Sequence, residues 1–99
     1  MDRMENIKKH FEEEAEQFDG IIRRLIPYYH QMIEAVVDTI PFEYSSDIEV
    51  LDLGTGTGTV ARAVKDVFTR AKVTCVDISE KMLQIASRKL SDANNTTYI

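Results

Sequence analysis

Three glycines at alternate positions, Gly54, Gly56 and Gly58, lie in the segment Leu51-Asp52-Leu53-Gly54-Thr55-Gly56-Thr57-Gly58. Alternate glycines let a chain turn tightly and remove the side chains that would hold a ligand away from main-chain amides. Asp77 follows 19 residues after Gly58. A carboxylate so placed can accept hydrogen bonds from both hydroxyls of a ribose diol, because it offers two oxygens with open lone pairs. Bare loop and acid together predict a nucleoside site.

The glycine register narrows the choice of nucleoside. A dinucleotide fingerprint reads G-x-G-x-x-G, and counting from Gly54 puts Thr59 where the last glycine belongs. Counting from Gly56 gives Gly56, Gly58 and Ala61, the relaxed form with alanine, so an NAD(P)-dependent oxidoreductase stays open in that register. Asp52 speaks against it: an acid beside a pyrophosphate is repelled, whereas a carboxylate can face the ammonium or sulfonium of a cationic ligand end.

These residues need elements that bring them together. Val50-Leu51-Asp52-Leu53 is a short apolar run ending at glycine, the pattern of a strand covered on both faces. Val60, Ala61, Val64, Val67 and Phe68 have helical spacing, and Val73 to Ile78 reads as a second buried strand. Ser79 is an N-cap for a helix carrying Met82, Leu83, Ile85, Ala86 and Leu90, with Glu80 in its first turn. Thr96 to Ile99 begins a third strand. Upstream, Ile7, Phe11, Ala15, Phe18 and Ile22 form the stripe of an amphipathic helix, with a break expected at Asp19-Gly20. Pro27 suits the first turn of a second helix, whose stripe is Tyr29, Ile33, Val36, Val37 and Ile40, and Pro41 ends it. The order α-α-β-α-β-α-β predicts an α/β domain with a parallel sheet and right-handed crossovers. Residues 1–47 form a helical lead-in or cap, and 48–99 the first part of the binding domain.

Composition excludes several classes. The 99 residues are 43% hydrophobic and 29% charged, ordinary for a globular domain. Net charge is −5, and residues 1–47 hold 11 acids against 5 bases, so no bulk footprint for nucleic acid exists, although Arg23-Arg24 is a local basic pair. No apolar stretch has membrane-spanning length, and the start Met1-Asp2-Arg3-Met4 lacks a signal-peptide pattern. A single cysteine, Cys75, rules out an internal disulfide and points to a reducing, cytoplasmic setting. It reads as a small core residue rather than a nucleophile. His10 and His30 read as structural, the Glu12 to Glu16 run as a solvated face, and no metal site is expected. Tyr28 and Tyr29 read as packing residues, with a place in a lid as the alternative.

Val50 to Gly58, followed by Val76-Asp77-Ile78-Ser79-Glu80-Lys81-Met82-Leu83, resembles the first two motifs of class I, Rossmann-like S-adenosylmethionine-dependent methyltransferases. The resemblance implies S-adenosylmethionine as cofactor, with Gly54, Thr55, Gly56 and Gly58 along it and Asp52 near its amino-acid end. It implies likewise that Asp77 holds the ribose diol and that Ile78 and Met82 lie against adenine. Phe18-Asp19 and Arg23 to Tyr29 are similar to the lead-in helices of some small methyltransferases, including those acting on the tRNA wobble uridine.

The implied fold is a half-domain: a sheet of strand order 3-2-1, helices on both faces and two N-terminal helices. Strand 1, central in the family, becomes an edge here, so the chain is expected to be part of a longer protein or to associate through that edge as a homodimer. The acceptor-binding half is expected to lie beyond it, leaving the methyl acceptor and any catalytic base unassigned. A non-catalytic partner-binding subunit derived from the same fold is a further alternative.

Overall fold

A computed structural model of the chain describes residues 3–99, apart from the side chains of Lys8 and Phe11. Met1 and Asp2 of the N-terminal reading, and the Phe11 side chain of the first apolar stripe, lie outside the described residues. The elements follow the expected order: α1 (Arg3–Leu25), α2 (Tyr29–Asp38), β1 (Glu49–Leu53), α3 (Thr59–Val67), β2 (Lys72–Val76), α4 (Glu80–Lys89) and β3 (Thr96–Tyr98). β2 lies between β1 and β3 and pairs in parallel with each, giving the order 3-2-1. Parallel neighbours cannot be joined by a tight hairpin, and α3 and α4 supply the crossovers.

Register decides which side chains meet. Val50 lies beside Val73, Asp52 beside Cys75, and Cys75 beside Tyr98, all on one face. There they meet Ala61, Val64 and Phe68 from α3 and its C-cap, Leu90 at the end of α4, and Val37 from α2. Phe68, Ala71, Val73 and Cys75 are completely buried, and Tyr44 meets the Phe68 ring edge-on at 5.4 Å.

The opposite face departs from expectation. Leu51 and Leu53, read as covered on both sides, are 60% and 72% exposed, and the helices cover one face among the described residues. Topology explains this. Two right-handed crossovers that step across a sheet in the same direction place both helices on the same side, and cover for the other side needs a step the opposite way. The apolar run of β1 is therefore patterned for two layers and receives one.

α1 also differs. It runs unbroken through Asp19-Gly20, where a break was expected. The polar Asp19 side chain finds tertiary partners, and Gly20 alone weakens a helix by only about 1 kcal/mol. The chain breaks at Ile26 to Tyr28, and Pro27, expected in the first turn of the second helix, stands before it, since Tyr28 adopts a left-handed φ of 57° and α2 begins only at Tyr29. Ser79 caps α4 as expected, its hydroxyl accepting from the Met82 amide at 3.2 Å. Lys65, 4% exposed, folds its amine onto the Ala71 and Thr69 carbonyls at 2.7 and 3.2 Å, which ties α3 to the connection leading into β2. Burial lowers its pKa.

Phe68→Ala should destabilise the fold by about 3–5 kcal/mol, since it opens a cavity at a fully buried site. Leu53→Thr should change stability by about 0.5 kcal/mol or less, since that side chain is already in water. Urea denaturation of the two variants checks both, and equal effects would contradict the one-sided core.

Candidate nucleoside site

The site forms where β1 and β2 end side by side. Past Leu53 the chain crosses the end of β2, and the Gly54 and Thr55 amides both donate to the Val76 carbonyl, at 2.8 and 2.9 Å. This crossing brings Gly56 to Asp77, and the Gly56 amide donates to Asp77 Oδ2 at 2.8 Å. The Ser79 amide donates to Asp77 Oδ1, also at 2.8 Å. Thr55, nearly buried, donates its hydroxyl to Asp52 Oδ2 at 2.8 Å, which fixes the half-buried Asp52 carboxylate under the start of the loop.

Positive φ values at Gly54 (71°), Gly56 (57°) and Gly58 (83°) require glycine, but for two different purposes. A Cβ at Gly54 or Gly56 would meet nothing within 4 Å, so these two leave free space above the loop. A Cβ at Gly58 would lie 3.1 Å from both Ala86 Cβ and Leu90 Cδ1, so this glycine lets α3 start tight against α4. Ile78 is fully exposed beside Asp77, and Met82 is partly exposed in the first turn of α4. Gly54, Thr55, Gly56, Asp52 and Asp77 are thus brought together, Ile78 and Met82 follow from Asp77, and Gly58 is turned into the core.

Asp77 is prepared to accept more hydrogen bonds. An ionised carboxylate has about four lone-pair positions, and the two amides use one on each oxygen. One position per oxygen is left, which matches a vicinal diol. The Ser79 amide, and next the Gly56 amide, hold the carboxyl below its ordinary 3.8. A depressed pKa keeps the hydrogen-bonded anion intact above the ordinary value and loses it only as pH falls through the lowered one. The bond from the Ser79 amide to Oδ1 is a local turn two residues long leading into α4, and it is compatible with a ligand.

Sequence reasoning missed a polar cluster behind the loop. Thr57 Oγ1 donates to Asp19 Oδ1 at 2.7 Å, and Lys89 Nζ donates to Asp19 Oδ2, to Thr57 Oγ1 at 3.1 Å and to Thr59 Oγ1 at 3.1 Å. The only trace in the sequence is an acid between Phe18 and Ile22 on the apolar stripe of α1. Cys75 is buried and its thiol is pushed up by burial, the state of an unreactive core residue. His10 pairs with Glu14 at 3.2 Å and His30 packs edge-on to Tyr29. Among the described residues no cluster of acids, histidines and cysteine could hold a metal ion, and no helix is long and apolar enough to cross a membrane.

The chain thus combines a parallel α/β sheet with a bare glycine loop beside a hydrogen-bonded acid. Residues 50–99 match the methyltransferase-domain family, and the chain belongs to that family. It is 25% identical over 95 residues to a malonyl-[acyl-carrier protein] O-methyltransferase of Halalkalibacterium halodurans, covering 96% of this chain and 35% of that protein. It is 34% identical over 95 residues to a demethylmenaquinone methyltransferase of Thermotoga maritima, covering 86% of this chain and 38% of that protein. A SAM-dependent methyltransferase from Aquifex aeolicus shares the fold with a TM-score of 0.60 at 22% identity, over 88% of this chain and 45% of that one. The chain spans about a third of the length of the curated relatives it matches.

Gly56→Ala and Gly58→Ala should separate the two glycine purposes. The first should lose stability by about 1–2 kcal/mol through its left-handed backbone and put a methyl group into the free space. The second should lose more, by roughly a further 1–3 kcal/mol, through overlap with Ala86 and Leu90. Thermal unfolding ranks them, and a Gly56→Ala as damaging as Gly58→Ala would contradict the assignment.

Proposed function

We propose that this chain is the cofactor-binding portion of an S-adenosylmethionine-dependent methyltransferase, with residues 48–99 holding the cofactor and residues 1–47 capping it. The observation that carries the reading is the Asp77 carboxylate, held by the Gly56 and Ser79 amides with one lone pair free on each oxygen. Membership of the methyltransferase-domain family supports it, as does the SAM dependence of the Aquifex aeolicus protein that shares the fold. In this reading Asp77 takes the ribose diol and Gly54, Thr55 and Gly56 lie along the cofactor. Asp52 faces its charged amino-acid end, and Ile78 and Met82 face adenine. Gly58 contributes by packing.

The cofactor supplies an already activated sulfonium methyl group, so the protein's part is to hold an acceptor in line with it. The relatives' names give different acceptors, a malonyl-[acyl-carrier protein] and a demethylmenaquinone. Exposed Leu51 and Leu53 on the open face of β1 support contact with further polypeptide there, from a longer chain or a second copy. A free, buried cysteine supports a cytoplasmic setting.

Titration calorimetry with S-adenosylhomocysteine should give saturable binding, with NADH giving none. Asp77→Ala should weaken that binding by roughly 10- to 100-fold, the loss of charge-assisted hydrogen bonds. Affinity should be level from about pH 8 to pH 5, because the carboxyl stays ionised throughout. Absence of binding by the folded wild type would overturn the reading, and an unchanged affinity in Asp77→Ala would remove this residue from the site.

A further inference from the structure

α1 is attached in an unusual way. None of its described side chains is buried, whereas α2, α3 and α4 each bury at least two. A surface hollow of about 620 Å³ is lined by residues of both helices, among them Ala15 and Arg23 of α1 and Ile85 and Arg88 of α4. Its contacts with α4 include two ion pairs, Glu14 with Lys81 at 2.9 Å and Asp19 with Lys89. At its C-terminal end the chain turns through Pro27 and the exposed, left-handed Tyr28, a conformation that non-glycine residues adopt only at a cost.

The second ion pair does more than join two helices. Asp19 and Lys89 are 20% and 21% exposed, and both bind the same Thr57 hydroxyl, which is 3% exposed. The three protons of the Lys89 amine are all used, on Asp19, Thr57 and Thr59. Thr57 adjoins Gly56, whose amide holds Asp77. One stretch of loop is thus gripped on one side by α1 and α4 and on the other by the proposed ribose acid.

We propose that α1 is a hinged arm latched onto the glycine loop through Asp19, Lys89 and Thr57, and that Asp19 and Lys89 are positioning residues for the cofactor. They act through Thr57 and touch no ligand atom. This rests on the cofactor reading above. A ligand lying along Gly54 to Gly56 fixes the loop in the conformation the latch needs, so ligand and latch stabilise one another. By linkage, the factor by which the closed latch raises ligand affinity equals the factor by which ligand favours closure. Polar contacts that are one-fifth exposed, on a helix none of whose described side chains is buried, can open without disturbing the core.

The test is made in the full chain with S-adenosylhomocysteine. Asp19→Asn should raise its Kd about tenfold, within the usual range of such couplings. Lys89→Met, which keeps the aliphatic stem, should do the same, and the double variant should be no worse than either single one. Trypsin should cut after the exposed Arg23 and Arg24 faster in both variants, and ligand should protect these bonds in wild type far more than in the variants. Asp47→Asn, which removes the bidentate Arg70 pair away from α1, serves as the control and should leave the Kd unchanged. Wild-type binding with Kd values within twofold in both variants, or with additive losses in the double variant, would overturn the latch alone. A wild type that binds no adenosyl sulfur ligand would instead overturn the cofactor reading beneath it.

Discussion

The hydrogen bond from the Gly56 amide to Asp77 joins two β–α turns that are 21 residues apart in the chain. A side chain at residue 56 would be strained at its φ of 57° and would stand in the free space above the loop. The loop comes within reach of Asp77 because Gly54 and Thr55 have already crossed to the Val76 carbonyl at the end of β2. Parallel pairing of β1 with β2 sets that crossing, since Leu53 and Val76 lie in register as the last pair of the two strands. A shift of one residue would turn every side chain of β1 to the other face, bringing Asp52 out of the core side and Leu53 into it.

The rest of the molecule serves to hold these two turns. α3 and α4 pack on one face of the sheet because the strand order advances in one direction, and their core of Phe68, Val73, Cys75 and Leu90 fixes the strand ends. Gly58 sets the approach of α3 to α4, while the local turn from Asp77 to Ser79 aims the Ser79 amide at the carboxylate. The other face of the sheet is not used in this way. Its apolar residues lie open, and the length ratio to the family relatives agrees with a domain of which this chain forms a part.

Features governed by local chemistry were legible in the sequence. Strand and helix order followed from periodicity, the Ser79 cap from its position before Glu80, and the loop and acid from glycine spacing and distance. Features that depend on which segments meet were not. Asp19-Gly20 looked like a helix break because nothing local shows that Asp19 is matched by Lys89, 70 residues away. Gly54, Gly56 and Gly58 looked equivalent, since a glycine that clears space for a ligand and one that clears space for a helix are the same letter. Leu51 and Leu53 correctly signalled a strand suited to two covered faces, but whether the second cover is present is a property of topology. Lys65 gave no sign of burial, because its amine is satisfied by main-chain carbonyls that exist only once α3 ends.

The claim on which the functional account stands is that Asp77, already holding two amides, keeps one lone pair per oxygen for a ribose diol. It is tested most directly by comparing S-adenosylhomocysteine with its 2′-deoxyribose counterpart, on wild type and on Asp77→Asn, by titration calorimetry. The account predicts that wild type prefers the diol by roughly tenfold or more and that Asp77→Asn largely abolishes the preference. Equal wild-type affinity for the two compounds, or a preference that survives intact in Asp77→Asn, would contradict it.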